Sequence, residues 1–225
     1  SVKGGIGLIN SRLYTEVPLF RGKVLFMAGG RSSYSNWLLH SLPDAELKHS
    51  NAHFYDGNAR IEVNLNPSNR ISAFTYVSND RFGFSSGQDY RYANLLGSVR
   101  WRHTFTDRFF FELTAAASRY RYKVAENDTA RTWEGYAIQS ALSYNSLKWN
   151  CSWYPGKKQA VDFGIDVIGY RIRPGERTAL AAETTVSTLR IPAEQAAEVA
   201  AYFSDQVQVS KKVTVEAGLR AVCYM

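Results

Sequence analysis

The chain has little cysteine, little proline and no long apolar run. Cys151 and Cys223 are the only thiols among its 225 residues. Two cysteines cannot build a disulfide framework, and these lack the clustered spacing of a metal site. Two free small residues on strands is the simplest reading, with one Cys151–Cys223 bridge as the alternative. No stretch of about 18 consecutive apolar residues occurs, which excludes a membrane-spanning helix. The first residues lack the charged-then-apolar layout of a secretory signal, so an exported chain is expected to have lost it by cleavage or excision. Gly-x-Ser-x-Gly elbows and Walker loops are missing as well, and nothing calls for a cofactor.

Charge is present but never in blocks. The net charge is +7, yet no five like charges occur together. Arg31, Arg81, Arg91, Arg119, Arg121, Arg171 and Arg173 recur near predicted strand ends. This suits a rim facing solvent or lipopolysaccharide and argues against a nucleic-acid partner.

What the sequence does contain is strict alternation. Ala59, Ile61, Val63 and Leu65 oppose Arg60, Glu62, Asn64 and Asn66. Ala93, Leu95, Gly97, Val99 and Trp101 oppose Asn94, Ser98, Arg100 and Arg102. Phe109, Phe111, Leu113, Ala115 and Ala117 oppose Glu112, Thr114 and Ser118; Val161, Phe163, Ile165 and Val167 oppose Asp162, Gly164 and Asp166. Val213 to Ala221 repeats the pattern against Thr214, Glu216, Gly218 and Arg220. Period two means that each strand shows an apolar medium one face and a polar medium the other.

The connections alternate in length. Short turns are predicted at Pro18–Gly22, Asn66–Asn69, Phe105–Arg108, Pro155–Gln159 and Val207–Lys211. Long polar loops are predicted near Ser35–Ala52, Asp80–Asp89, Lys123–Trp133 and Arg173–Ala193. All six prolines, Pro18, Pro43, Pro67, Pro155, Pro174 and Pro192, are read into connections. The reading is about ten antiparallel strands of roughly 9 to 14 residues, in one domain covering 1–225, with the layout of an outer-membrane β-barrel. Phe20, Trp101, Phe105, Phe109, Phe111, Trp153, Tyr154 and Phe203 cluster near the short turns, as one aromatic girdle would. Tyr34, Trp37, Phe54, Tyr55, Phe82, Phe84, Tyr90, Tyr92, Tyr120, Tyr122, Trp133, Tyr136 and Tyr170 lie near the long loops and read as the second.

Several segments then resemble TonB-dependent outer-membrane receptors of the Bacteroidota type. They are Gly5 to Leu13, Val17-Pro18-Leu19, Gly30 to Tyr34, and the Ser78-Asn79-Asp80-Arg81-Phe82 corner. Phe163-Gly164 through Tyr170, Pro174-Gly175, Ala200-Ala201-Tyr202 and Gly218-Leu219-Arg220 continue the likeness in order. The resemblance implies an early part of a barrel of about 22 strands, whose lumen is filled by a plug domain that precedes it. It further implies energised nutrient uptake with TonB and the plug as partners and no catalysis. The plug and the TonB box are not in these residues, and the chain does not end on the usual terminal aromatic. The alternative is a self-contained ten-stranded barrel, either an omptin-like protease or a structural or adhesin barrel.

Under the barrel reading, Arg60, Glu62, Asn64, Arg100, Glu112, Asp162, Asp166, Glu198, Glu216 and Arg220 face the lumen. Charges enclosed there need partners, so pairing with one another or with the plug is the plain expectation. Asp162 and Asp166 stand about 13 Å apart along one strand, too far for an acid/base dyad. Substrate contacts are expected from loop residues Trp37, His40, Phe82, Phe84, Asp89 and Trp133. His49 and His53 have helical metal spacing but fall in a predicted loop without the metalloprotease Glu, so no metal is assigned. His103 reads as an interfacial side chain, and Asp128-Thr129-Ala130 resembles a Bacteroidota O-glycosylation signal.

Overall fold

Alternation of this kind is satisfied by pairing every strand with the next, and that is the observed architecture. The computed structural model describes residues 1–127 and 132–225; the tripeptide Asp128-Thr129-Ala130 lies outside the described residues. The strands are β1 (Val2–Ile6), β2 (Asn10–Leu19), β3 (Val24–Ser33), β4 (Asn51–Asn66), β5 (Asn69–Gly83) and β6 (Gln88–Thr106). They continue as β7 (Phe109–Glu126), β8 (Tyr136–Gly156), β9 (Gln159–Ala179), β10 (Leu189–Arg190), β11 (Glu194–Gln208) and β12 (Thr214–Tyr224). All pair antiparallel in chain order in one sheet, with the two-residue β10 attached beside the end of β9.

Two differences from the sequence reading have physical causes. The first predicted strand is two, because the chain reverses between β1 and β2. That reversal contains no Asp or Pro and is closed by Gly7 N–H donating to the Asn10 carbonyl at 2.8 Å. Tyr34 fixes it from a distance, its hydroxyl donating to the Gly7 carbonyl and lying 3.0 Å from that of Asn10. The strands are also longer than expected: β8 and β9 have 21 residues each. A tilted strand needs only about 9–11 residues to cross a bilayer. The surplus lies at the end bearing the longer loops, where Asp80–Asp89 shrinks to a tight connection between Gly83 and Gln88.

Proline placement follows the missing N–H. Pro18 is the penultimate residue of β2, while Pro155 and Pro174 occupy register shifts between β8 and β9. Two short helices, α1 (Asn36–Ser41) and α2 (Ala45–Lys48), fill the β3–β4 connection. Asp44 caps α2 by accepting from the amides of Glu46 and Leu47.

Candidate functional site

Cross-strand register puts directly opposed residues on the same face. One row runs Val24, Val63, Ile71, Trp101, Leu113, Trp149, Ile165, Ala201 and Ala221, each paired with the next. Every member is apolar across nine strands. Val99, at 51% exposure, and Leu147, at 48%, belong to the same face. So continuous an exposed apolar surface needs an apolar partner, since soluble monomers rarely show one. Near the short turns this face carries an aromatic cluster, with Phe105 stacked on Phe109 at 5.2 Å and Trp101 edge-on to Phe111 at 5.0 Å. His103 joins it 4.4 Å from Phe105, while its Nδ1 lies 2.8 Å from Asn69 Oδ1.

The opposite face is polar and internally paired over its turn-side half. Glu62, 7% exposed, takes both Arg60, at 2.5 Å, and Arg70. Arg100 meets Glu112 at 3.3 Å. Arg220 bridges Asp166 at 3.2 Å and Glu198 at 3.5 Å, and Lys148 reaches Asp166 at 3.8 Å. Asp162 accepts from Ser152 Oγ at 2.5 Å. Eight of the ten candidates for this face are therefore brought into ion pairs or hydrogen bonds with neighbours. Asn64 lines a small turn-side depression with Arg70 and Arg102, and Glu216 is exposed on β12. The sequence reading missed Arg70, Lys148 and Tyr202; their parity was legible, but their partners are set by register.

Gly164 marks the tightest point of this wall. A Cβ there would lie 2.8 Å from Tyr202 Cζ and against the Trp149 carbonyl. The Tyr202 ring passes over the glycine and donates its hydroxyl to Asn150 Oδ1.

The loop-side half has a different chemistry. Tyr92 pairs with Tyr122, Asn94 with Tyr120, and Tyr144 with Tyr170, all on the face of Arg100 and Asp166. Tyr92 and Tyr122 are 5.1 Å apart, Tyr144 and Tyr170 5.6 Å. These tyrosines thus line the polar face, whereas the sequence reading made them a belt on the apolar one. The other face there carries cations: Arg119 sits in register with Ser143 and Arg171, and Arg121 with Ala141 and Arg173.

The loop candidates are held at separate places. Phe82 pairs with Tyr90, and Phe84 packs edge-on to Tyr90 at 6.0 Å. Trp37, on α1, donates Nε1–H to the Leu8 carbonyl at 3.0 Å, and His40 is exposed in the last turn of α1. The Trp133 carbonyl accepts from Thr184 Oγ1 at 2.8 Å, leaving its ring exposed. Asp89, near the loop-side tip of β6 and beyond the apolar band, is gripped by Arg81 at 2.6 Å and Arg91 at 2.8 Å. Partial burial alone would raise its pKa; hydrogen bonds from Arg91 and Arg81 outweigh that and hold it below the ordinary carboxylate value. His49 ends α2 while His53 lies within β4, so their helical spacing is not realised. Among the described residues no three His, Cys, Asp or Glu side chains gather as a metal site. Cys151 is buried, Cys223 is exposed, and both are free.

No protein-family model matches the chain, and no curated protein sequence does. Solved structures do resemble it. The ferripyoverdine receptor of the outer membrane of Pseudomonas aeruginosa, bound to ferripyoverdine, superposes on 99% of this chain with TM-score 0.72 and 11% identity. The copper transporter OprC covers 98% with TM-score 0.73 and 11% identity. BauA, the ferric preacinetobactin receptor from Acinetobacter baumannii, covers 96% with TM-score 0.69 and 8% identity. The fold is that of the barrel wall of these receptors, and the chain spans 36%, 35% and 40% of their respective lengths.

Proposed function

We propose that this chain forms part of the wall of a TonB-dependent outer-membrane receptor of the Bacteroidota type, which takes up a nutrient across the outer membrane. The observation that carries the reading is the uninterrupted apolar row across nine strands, backed by ion pairs on the reverse face. A sheet standing between hydrocarbon and an aqueous or plugged lumen stabilises both faces at once.

In this reading the apolar face meets outer-membrane lipid and lipopolysaccharide, and the short turns point to the periplasm. The paired charges line the lumen beside a plug domain. Substrate enters from the loop side, where the tyrosine-rich inner surface and exposed aromatics such as Trp37 and Trp133 offer contact. TonB then pulls on the plug, using the inner-membrane proton gradient. The wall is a rigid shell: Glu62, Glu112, Asp166 and Glu198 are neutralised by neighbouring cations, and it carries out no bond chemistry.

The test is biochemical. The protein purified at its natural length is expected to need detergent or lipid to stay folded, and to capture the periplasmic domain of TonB. A folded monomer in plain buffer overturns the membrane assignment; a lipid-embedded barrel with no TonB affinity overturns the receptor role.

A further inference from the structure

The polar wall repeatedly sets a cation over an aromatic ring. Arg31 Cζ lies 5.3 Å from the centre of the Phe54 ring, and Arg102 Cζ 4.1 Å from that of Phe110. Tyr202 is flanked by Lys148 Nζ at 5.6 Å and Arg220 Cζ at 5.9 Å. By cross-strand parity all of these side chains stand on the face of Arg60, Glu62 and Asp166. One aromatic group on the same face is left without a cation.

That group lies nearer the loops. Asp80 on β5, Tyr92 on β6 and Tyr122 on β7 form one row, each directly opposite the next. Tyr120 follows two residues along β7 on the same face, opposite Asn94, and is exposed. The Tyr92 and Tyr122 rings are 5.1 Å apart. Among the described residues no cation stands over Tyr92, Tyr120 or Tyr122.

Asp80 has no cation either, with none within 4.0 Å of its carboxylate among the described residues. Arg31, on β3, is taken by Asp56. Arg81 and Arg91, the sequence neighbours of Asp80 and Tyr92, point to the opposite face and hold Asp89. Neighbouring strands are about 4.8 Å apart, so the row from Asp80 to Tyr122 spans about 10 Å.

The chemistry of this patch selects the sign of what it binds. Tyrosine rings present a negative face to a ligand, and the carboxylate beside them adds a full negative charge. An anion is repelled there. A neutral group laid on the patch would cover a carboxylate with no counter-charge, which costs free energy. A compact, weakly hydrated cation satisfies the rings and the carboxylate together.

We propose that Asp80, Tyr92, Tyr120 and Tyr122 bind an organic cation, an alkylammonium group carried by the imported ligand. The ligand supplies at this patch what Phe54, Phe110 and Tyr202 obtain from the chain itself. The inference rests on the proposed function for the inward direction of this face and for entry of substrate from the loop side.

The experiment uses the natural-length protein in detergent micelles, with choline as the probe and 3,3-dimethylbutan-1-ol as its uncharged isostere. Ligand-observed NMR titration gives the Kd of each. Choline is expected to bind about tenfold more tightly than the alcohol, because only the charge distinguishes them. Asp80→Asn and Tyr122→Leu are each expected to weaken choline by about threefold or more and to leave the alcohol unchanged. Equal Kd values for the two probes on the wild type overturn the proposal even if both variants fail to fold. Undiminished choline binding by a folded double variant places the site elsewhere and also overturns it. Choline discrimination by a protein that captures no TonB domain supports this site while removing the receptor role. A protein that captures TonB and treats both probes alike does the reverse.

Discussion

The turn-side and loop-side halves of this wall use the same residue types in opposite places. In the turn-side half arginines point to the polar face and are matched by carboxylates, as in Arg60–Glu62–Arg70 and Glu198–Arg220–Asp166. Aromatics there, such as Phe105, Phe109 and Trp101, stand on the apolar face. In the loop-side half of β6–β9 the tyrosines turn inward and the arginines outward, Arg119, Arg121 and Arg173 among them. The membrane orientation proposed above accounts for the exchange. Where hydrocarbon lies outside, a charge survives only inside and only with a partner. Beyond the hydrocarbon a cation can face outward unpaired, and the inner surface is free to be aromatic.

The sharpest way to break this contrast is to move a charge to the wrong side. Ile165→Arg on the turn-side apolar face is expected to cost about 2–4 kcal/mol of folding free energy in lipid vesicles. Asn64→Arg on the reverse face should fall well short of that, and equal costs would refute the facing assignment. Next in size, Gly164→Ala forces the new methyl against Tyr202 and a carbonyl, with an expected loss of about 1–3 kcal/mol by urea titration. Pairing it with Tyr202→Ala should recover part of that loss. Removing a matched cation is smaller again. Arg220→Ala leaves Glu198 without its cation and Asp166 with Lys148 alone, and with the arginine itself 43% exposed the cost is expected near 1 kcal/mol. Arg119→Ala, which strands nothing, should stay within about 0.5 kcal/mol. If the two arginines proved equal, the distinction between matched and unmatched halves would fail.

The smallest effect concerns pH. Asp89 has its pKa lowered in the fold, so its stabilising contribution is fully present above the unfolded carboxylate value of about 3.9. It is lost as pH falls through the depressed folded value. Asp89→Asn is expected to flatten the acid limb of a loop-side unfolding profile below about pH 4. An unchanged acid limb would show that the Arg81 and Arg91 contacts do not contribute.

Much of this was legible in the residues because period two is a direct consequence of strand geometry. Val161 to Val167 and Val213 to Ala221 declared both faces and the all-β class, and the short turns at Pro67 and Asp107 fell where expected. Strand length was not legible above the apolar band. There both faces of β6–β9 are polar or amphipathic, so a paired stretch such as Lys123 to Glu126 reads like a loop. The reversal at Gly7 was hidden for another reason: besides its own Gly7–Asn10 backbone hydrogen bond, it is held by Tyr34, far along the chain. Partnerships such as Arg70 with Glu62 depend on which rung meets which, and no single strand carries that information. Which side the upper tyrosines occupy follows from parity counted through β7, from Glu112 to Tyr122.

Tyr202 and the glycine beneath it have a consequence for descent. The ring occupies the volume a side chain at 164 would claim, and Asn150 holds it there. Homologues should therefore inherit these three sites as a set, a small residue at 202 accompanying any side chain at 164, with Asn150 then released to vary.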